Sequence, residues 1–215
     1  MAFVAPKPNS GDFTPPPEGT HMAVCYRLVD LGTQQSTFNN ETKRQHKIVI
    51  SWELADEKMD NGEPFSIHQR YTFSLHEKAK LRADLEGWRG KRFDEAELEA
   101  FDLDGLLGKP CLLTVAHTKK ADRVFANIMA IAKLPKNMPP PSAPFNRPHS
   151  FNLKSPDWAL FDAMSVGLQD TIKKSPEYAE ARKGGGGGHS EADPPPVDDM
   201  DDGRDIPFAT PYGIR

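Results

Sequence analysis

Ile48-Val49-Ile50-Ser51-Trp52-Glu53-Leu54, then Asp60-Asn61-Gly62, then Phe65-Ser66-Ile67-His68-Gln69-Arg70-Tyr71-Thr72-Phe73, then a run to Trp88, is the stretch that decides the fold. Ile48, Ile50, Trp52 and Leu54 alternate with Val49, Ser51 and Glu53, the period of a half-buried strand. Asn61-Gly62 supplies a left-handed turn, after which Phe65, Ile67, Tyr71 and Phe73 share one face, so the two runs predict a hairpin. From His76 the spacing changes. Leu81, Leu85 and Trp88 recur at i, i+4 and i+7, which predicts a helix over 76–88 with Ser74 as its cap.

Working outward, Met22 to Leu31 is β-branched and apolar and closes at Gly32, a first strand. Gln34 to Gln45 is polar and rich in Asn and Thr, and reads as a long loop. Glu95 to Leu107 is a shorter helical segment ending at Gly108, and 111–117 and 123–132 are two further strands joined across Lys119-Lys120-Ala121-Asp122. The order is three strands, a helix, two strands. An SH3-like barrel lacks the intervening helix, and a ferredoxin-like fold needs a helix after its first strand. The expectation is a mainly β protein with α, a five-stranded OB-fold barrel (β-β-β-α-β-β) over 20–137.

Composition sets what lies outside that unit. The 215 residues include 20 Pro and 16 Gly, concentrated toward the ends. Residues 1–19 read as a disordered N-terminal arm, 138–150 as a Pro-rich linker, and 184–215, with its glycine run and Pro194-Pro195-Pro196, as a disordered acidic tail. Between the last two, 151–183 is helical. Ser155-Pro156-Asp157 is a helix start, and Trp158, Leu160, Phe161, Met164, Leu168 and Ile172 form an amphipathic stripe. That stripe predicts a C-terminal amphipathic helix packed back onto the barrel or forming a homo-oligomer contact, with docking of another protein as the alternative, and Ser175-Pro176-Glu177 before Tyr178 is a second helix start.

Cys25 and Cys111 stand far apart without Cys or His at ligand spacing, which suggests buried, reduced thiols and no metal. With no bilayer-length apolar run and no basic-then-apolar N-terminus, the expected setting is cytoplasmic. Dispersed histidines and the lack of a phosphate-binding loop argue against an enzyme and against a cofactor. The formal net charge of −4 is unevenly spread. The tail carries Glu191, Asp193, Asp198, Asp199, Asp201, Asp202 and Asp205 against Arg204, while 20–137 is close to balanced and groups its cations locally. Local potential steers binding more than the sum does.

The acidic run 198–205 closes on Ile206-Pro207-Phe208. This resembles the tail of bacterial single-stranded DNA-binding proteins, and the whole layout, with Tyr71-Thr-Phe-Ser-Leu-His-Glu-Lys and Gly108-Lys-Pro-Cys-Leu-Leu-Thr-Val, resembles the divergent members encoded by tailed bacteriophages. The resemblance implies that Asp198, Asp199, Asp201, Asp202, Asp205, Ile206, Pro207 and Phe208 dock replication or recombination proteins, carboxylates on basic rims and Pro-Phe in an apolar pocket. It also implies action in the cytoplasm of a bacterial host. Arg204 within the acids and 209–215 after Phe208 depart from the family's pattern.

Binding a single strand without regard to sequence needs aromatic faces for bases and cations along the backbone. An OB-fold presents its ligand on strands two and three, rimmed by the loops between strands one and two and between strands four and five. Those positions hold Lys43, Arg44 and Lys47 on the first loop, Trp52 on strand two, Arg70, Tyr71 and Phe73 on strand three, and Lys119, Lys120, Arg123 and Phe125 around the last. Trp52, Tyr71 and Phe73 share the parity of their apolar neighbours and are candidates for the core as well as for stacking. Arg70 has the opposite parity, and so does Phe125. The expected function is single-stranded DNA binding in replication, recombination or repair. Two alternatives remain open: a non-catalytic adaptor whose barrel binds protein, and an acidic tail that occupies its own barrel's basic face.

Overall fold

A computed structural model describes residues 14–38, 41–121, 123–141 and 144–184. It is mainly β: strands β1 (Gly19–Phe38), β2 (Glu41–Lys58), β3 (Pro64–Thr72), β4 (Pro110–Lys120), β5 (Arg123–Ala132) and β6 (His149–Phe151). Helices α1 (Lys80–Arg89) and α2 (Glu95–Ala100) and a 3-10 turn (Leu103–Leu106) lie between β3 and β4, and α3 (Trp158–Asp162), α4 (Val166–Lys173) and α5 (Pro176–Gly184) follow β6. The sheet runs β3-β2-β1-β4-β5 with antiparallel neighbours, and β6 adds in parallel to β1. No helix among the described residues is long and apolar enough to cross a membrane.

The strand-strand-strand-helix-strand-strand order agrees with the sequence, but the sheet is not closed into a barrel. Strands β3 and β5 end the path without a ladder between them, and α1 bonds beside both. Tyr71 Oη donates to Asp84 on α1 at 2.8 Å, and Lys133 N, just after β5, donates to the Gly87 carbonyl at 3.0 Å. At Gly87 the helix meets β5 so closely that a Cβ would lie 2.5 Å from the Ile131 carbonyl oxygen. Leu81, Leu85 and Trp88 enter a core shared with all five long strands, including Cys25, Ile50, Trp52, Leu54, Ile67, Leu113 and Ile128. Trp88 donates its indole N–H to the Pro110 carbonyl at 2.9 Å. Both cysteines are free and buried, and burial raises the Cys25 thiol to about 12.

The expected loop over 34–45 is instead a hairpin arm, paired from Gln34↔Gln45 to Thr37↔Thr42. Ladder bonds are backbone bonds, so an arm covered by no other element needs no apolar alternation and leaves no trace in hydrophobic periodicity. Thr37 and Thr42 add a hydroxyl bond across it at 3.2 Å. Ser74 does not cap α1: its Oγ accepts from His76 N in a turn, and the helix starts later, after Ala79. Asp94 forms a capping box with Glu97 on α2, and the segment then breaks at Phe101 into the 3-10 turn.

The helical segment expected over 151–183, with starts at Ser155 and Ser175, is three short helices, the stripe after Ser155 being divided between α3 and α4. Asp157, not Ser155, caps α3, accepting from Ala159 N and Leu160 N, whereas Ser175 accepts from Tyr178 N at the start of α5 as its Ser-Pro signal suggests. Phe161, Met164, Leu168 and Ile172 pack with Phe151 and Leu153 onto Val29, Leu31 and Val49, a second core on the opposite face of the sheet. The helical segment therefore does pack back onto the strands.

Parts of the expected arm and linker are also tied down. Pro16 O meets His117 Nε2 at 2.7 Å, and Glu18 accepts from His117 N at 2.6 Å. In the linker, Phe145 N and Asn146 N donate to the Glu53 carboxylate, and residue 149 begins β6.

Three outcomes follow from this packing. Trp52 is wholly buried, so Trp52→Ala should cost about 3–5 kcal/mol in denaturant unfolding. Gly87→Ala should destabilise, although Ala ordinarily favours a helix interior over Gly by about 1 kcal/mol, since its Cβ meets backbone at Ile131. Glu177 accepts from Thr33 N at 2.8 Å and Thr33 Oγ1 at 2.5 Å. Burial raises its carboxyl, but the Thr33 donors and the His46 charge outweigh that and hold it below the ordinary 4.5. This stabilisation is complete above about pH 4.5 and is lost as pH falls through the folded value. Hydrogen exchange between pH 5 and 3 should show α4 and α5 losing protection, and Glu177→Gln should flatten that dependence.

Candidate nucleic-acid interface

Alternation along the strands sorts the candidate residues between two faces. On β2, Ile48, Ile50, Trp52 and Leu54 point into the main core, so Lys43, Lys47, Val49, Ser51 and Glu53 belong to the opposite, outer face. Cross-strand register completes its rows: Lys47↔Thr72, Arg27↔Ser51↔His68, Val29↔Val49↔Arg70 and Val24↔Glu53↔Ser66. Lys43, Lys47, Arg70 and Arg27 thus line one face. Lys43 is exposed, and Lys47, Arg70 and Arg27 are half-buried.

Trp52 and Tyr71, candidates for base stacking, are core residues at 0 % and 3 % exposure. Their parity turns them inward, where Trp52 packs against Trp88 with ring centroids 5.8 Å apart. Burial and the neighbouring Asp84 charge push the Tyr71 hydroxyl far above its ordinary value of 10, so it stays a proton donor to that carboxylate. Phe73 is half exposed but has the inward parity, and Arg44 shares it by the alternation of β2. The Phe73 ring stands edge-on to His46 at 5.4 Å and borders a cavity of about 180 Å³ whose walls include Asp30, Asp102 and Asp104. Three carboxylates beside that ring make a poor environment for a phosphate backbone.

The β4–β5 hairpin carries the second basic group. Lys120↔Arg123 and Thr118↔Phe125 are directly paired, and all four have the parity opposite to Val115 and Ile128 of the core. Lys120 and Arg123 are exposed, Phe125 is half-buried, and Lys119 is exposed on the other face. Because Gly19 pairs with Val115, this tip projects past the start of β1, while Lys43 and Arg44 pair with Ser36 and Gln35 near its end. The two basic rims stand at opposite ends of one strand. The tail residues Asp198, Asp199, Asp201, Asp202, Asp205, Ile206, Pro207 and Phe208 lie outside the described residues.

What the sequence reading missed is the roof over the outer face. Glu53, 3 % exposed, accepts from Phe145 N at 2.7 Å, Asn146 N at 2.9 Å and Asn146 Nδ2 at 2.8 Å. Beyond it β6 pairs with Arg27–Val29, and the second core covers Val29 and Val49. The roof itself is basic and aromatic. Phe145 and Arg147 are exposed, Arg27 Cζ lies 5.6 Å from the Tyr26 ring centroid, and His149 stands edge-on to Tyr26 at 6.5 Å. Burial holds the His149 imidazole below its ordinary 6.5; the Arg27 and Arg147 charges act in the same direction and a bond with the Arg147 carbonyl opposes them. An acidic Glu at an outward strand position was the one available signal: a lone carboxylate of this parity needs donors when a segment covers it.

Among the described residues no group of three or more His, Cys, Asp and Glu side chains is placed to hold a metal ion. The interface can offer cations and aromatic faces to an anionic polymer. Searches among known proteins attach no relative to this geometry: no protein-family model matches the chain, and no curated protein matches it.

Proposed function

We propose that this protein binds single-stranded DNA without regard to sequence, in the manner of phage-type single-stranded DNA-binding proteins, and takes part in replication, recombination or repair without catalysis or cofactor. The observation that carries the reading is the distribution of cations: Lys43, Lys47, Arg70 and Arg27 along one sheet face, with exposed Lys119, Lys120 and Arg123 at the hairpin beyond the other end of β1. A polyanion lying along β1 meets basic groups at both ends and between them. The five-strand path with its helix between β3 and β4 supports an OB-like sheet, open where α1 separates β3 from β5. The acidic tail with its Ile-Pro-Phe tip is then the segment that recruits replication or recombination proteins in the host cytoplasm.

A second reading has its own support. The C-terminal roof and helices occupy much of the outer face on which an OB-fold takes its ligand, which favours an adaptor whose sheet contacts protein. Titration separates the two. A fluorescent oligo-dT and its matching duplex, followed by anisotropy at low and moderate salt, should show preferential single-strand binding that weakens as salt rises. Replacing Lys119, Lys120 and Arg123 together by Ala should lower affinity and reduce the salt slope, each lost phosphate contact removing about 0.7 from it. No binding to the single strand at low salt would leave the adaptor reading in its place.

A further inference from the structure

We propose that Phe145, with Arg147 and Arg27, forms a stacking station for single-stranded DNA built over the sheet by the roof segment rather than by β2 and β3. The inference deepens the single-strand reading above and rests on it.

Strands β2 and β3 turn no aromatic residue to the outer face. Trp52 and Tyr71 are in the core, and Phe73 faces the acidic cavity. Phe145 is 67 % exposed, an arrangement that leaves a large apolar face in water. A mobile loop would let such a side chain fold back. Here the backbone is held at the residue and after it: Phe145 N and Asn146 N are bound by Glu53, the Asn146 side chain returns to the same carboxylate, and His149 enters the ladder with Arg27.

Burying a carboxylate is unfavourable unless strong hydrogen bonds compensate it. Glu53 has three donors, all from Phe145 and Asn146, so the anchor that makes its burial tolerable also presents Phe145 in one place. A residue whose backbone is already anchored loses less freedom when a base lies on its ring.

The neighbouring groups fit the rest of a nucleotide. Arg147 is exposed two residues on, and His149 meets the Arg147 carbonyl at 3.0 Å while pairing with Arg27 in the ladder, so both arginines adjoin His149. Arg27 also lies over the Tyr26 ring. Bases stack on aromatic faces regardless of identity, and guanidinium groups hold phosphates. The acid beneath, Glu53, is buried and engaged by its donors. A single strand is the ligand that uses the aromatic face and both cations.

The test uses the full chain and fluorescein-labelled oligo-dT. Phe145→Ala should weaken binding about tenfold, the scale of one lost stacked base, with thermal unfolding unchanged because the ring is exposed. Phe145→Trp should keep wild-type affinity and show indole quenching by unlabelled oligo-dT, read against the wild-type signal of Trp52, Trp88 and Trp158. Arg147→Ala should weaken binding and reduce the salt slope by about one contact. Wild-type affinity in Phe145→Ala together with an unquenched Phe145→Trp would overturn the station and leave the single-strand reading standing. A wild-type chain that does not bind oligo-dT would remove that reading, and the station with it.

Discussion

The structure depends on the backbone of β1 finding partners on both edges over 20 residues. One edge is satisfied by β2 along nearly its whole length. The other is divided: β4 takes Gly19–Val24, and β6 takes Arg27–Val29 after β4 has turned away at Pro110. A buried N–H or C=O without a partner costs about as much as a lost hydrogen bond, so the vacated edge invites a strand. β6 answers that need although it has only three residues. Both cores follow. Register shifts at Cys25/Arg27 and Asp30/Gly32 leave Tyr26 and Leu31 as extra residues. They let β1 present Cys25 and Leu28 to one core and Val29 and Leu31 to the other.

The division of that edge also determines which surface remains for a ligand. With β6 in place, the chain after residue 151 must cross the outer face, and the apolar stripe of α3 and α4 covers Val29 and Val49. Upstream of β6, residues 145–146 cross above β2 and are received by Glu53. Strands β2 and β3 therefore keep cations at the margins, Lys43, Lys47 and Arg70, while their aromatic residues face the interior. The roof adds an exposed ring, Phe145, and the exposed Arg147 on one short segment, which β6 joins to Arg27 of β1. An added segment thus hides one face and carries the same chemistry outward.

Much of this was legible in residue order. The alternation at 48–54 and 65–73, the turn at Asn61-Gly62 and the spacing of Leu81, Leu85 and Trp88 each correspond to an element found in place. The parity of Trp52 and Tyr71 already allowed a core position, and that position is theirs. Arg70 and Phe125 likewise lie on the faces their parity implies. The hairpin arm over 34–45 was not legible, because its strands are joined by backbone bonds that polar Gln and Thr residues make without any period. The open path from β3 to β5 was not legible either, nor was the approach of Gly87 to Ile131, a contact between residues 44 positions apart.

The sequence by itself determined the order of elements, the inward side of each strand, the local clustering of cations around 43–47 and 119–123 and the apolar stripe of the C-terminal segment. All of these are local, set by periodicity and side-chain chemistry within a dozen residues. Only the tertiary structure decided which cations share a face, that the sheet stays open around α1, that β6 takes the free edge of β1, and that Phe145 stands above Glu53. Those outcomes depend on pairing groups far apart in the chain, where the deciding quantity is the satisfaction of buried backbone and carboxylate groups, which no local pattern encodes.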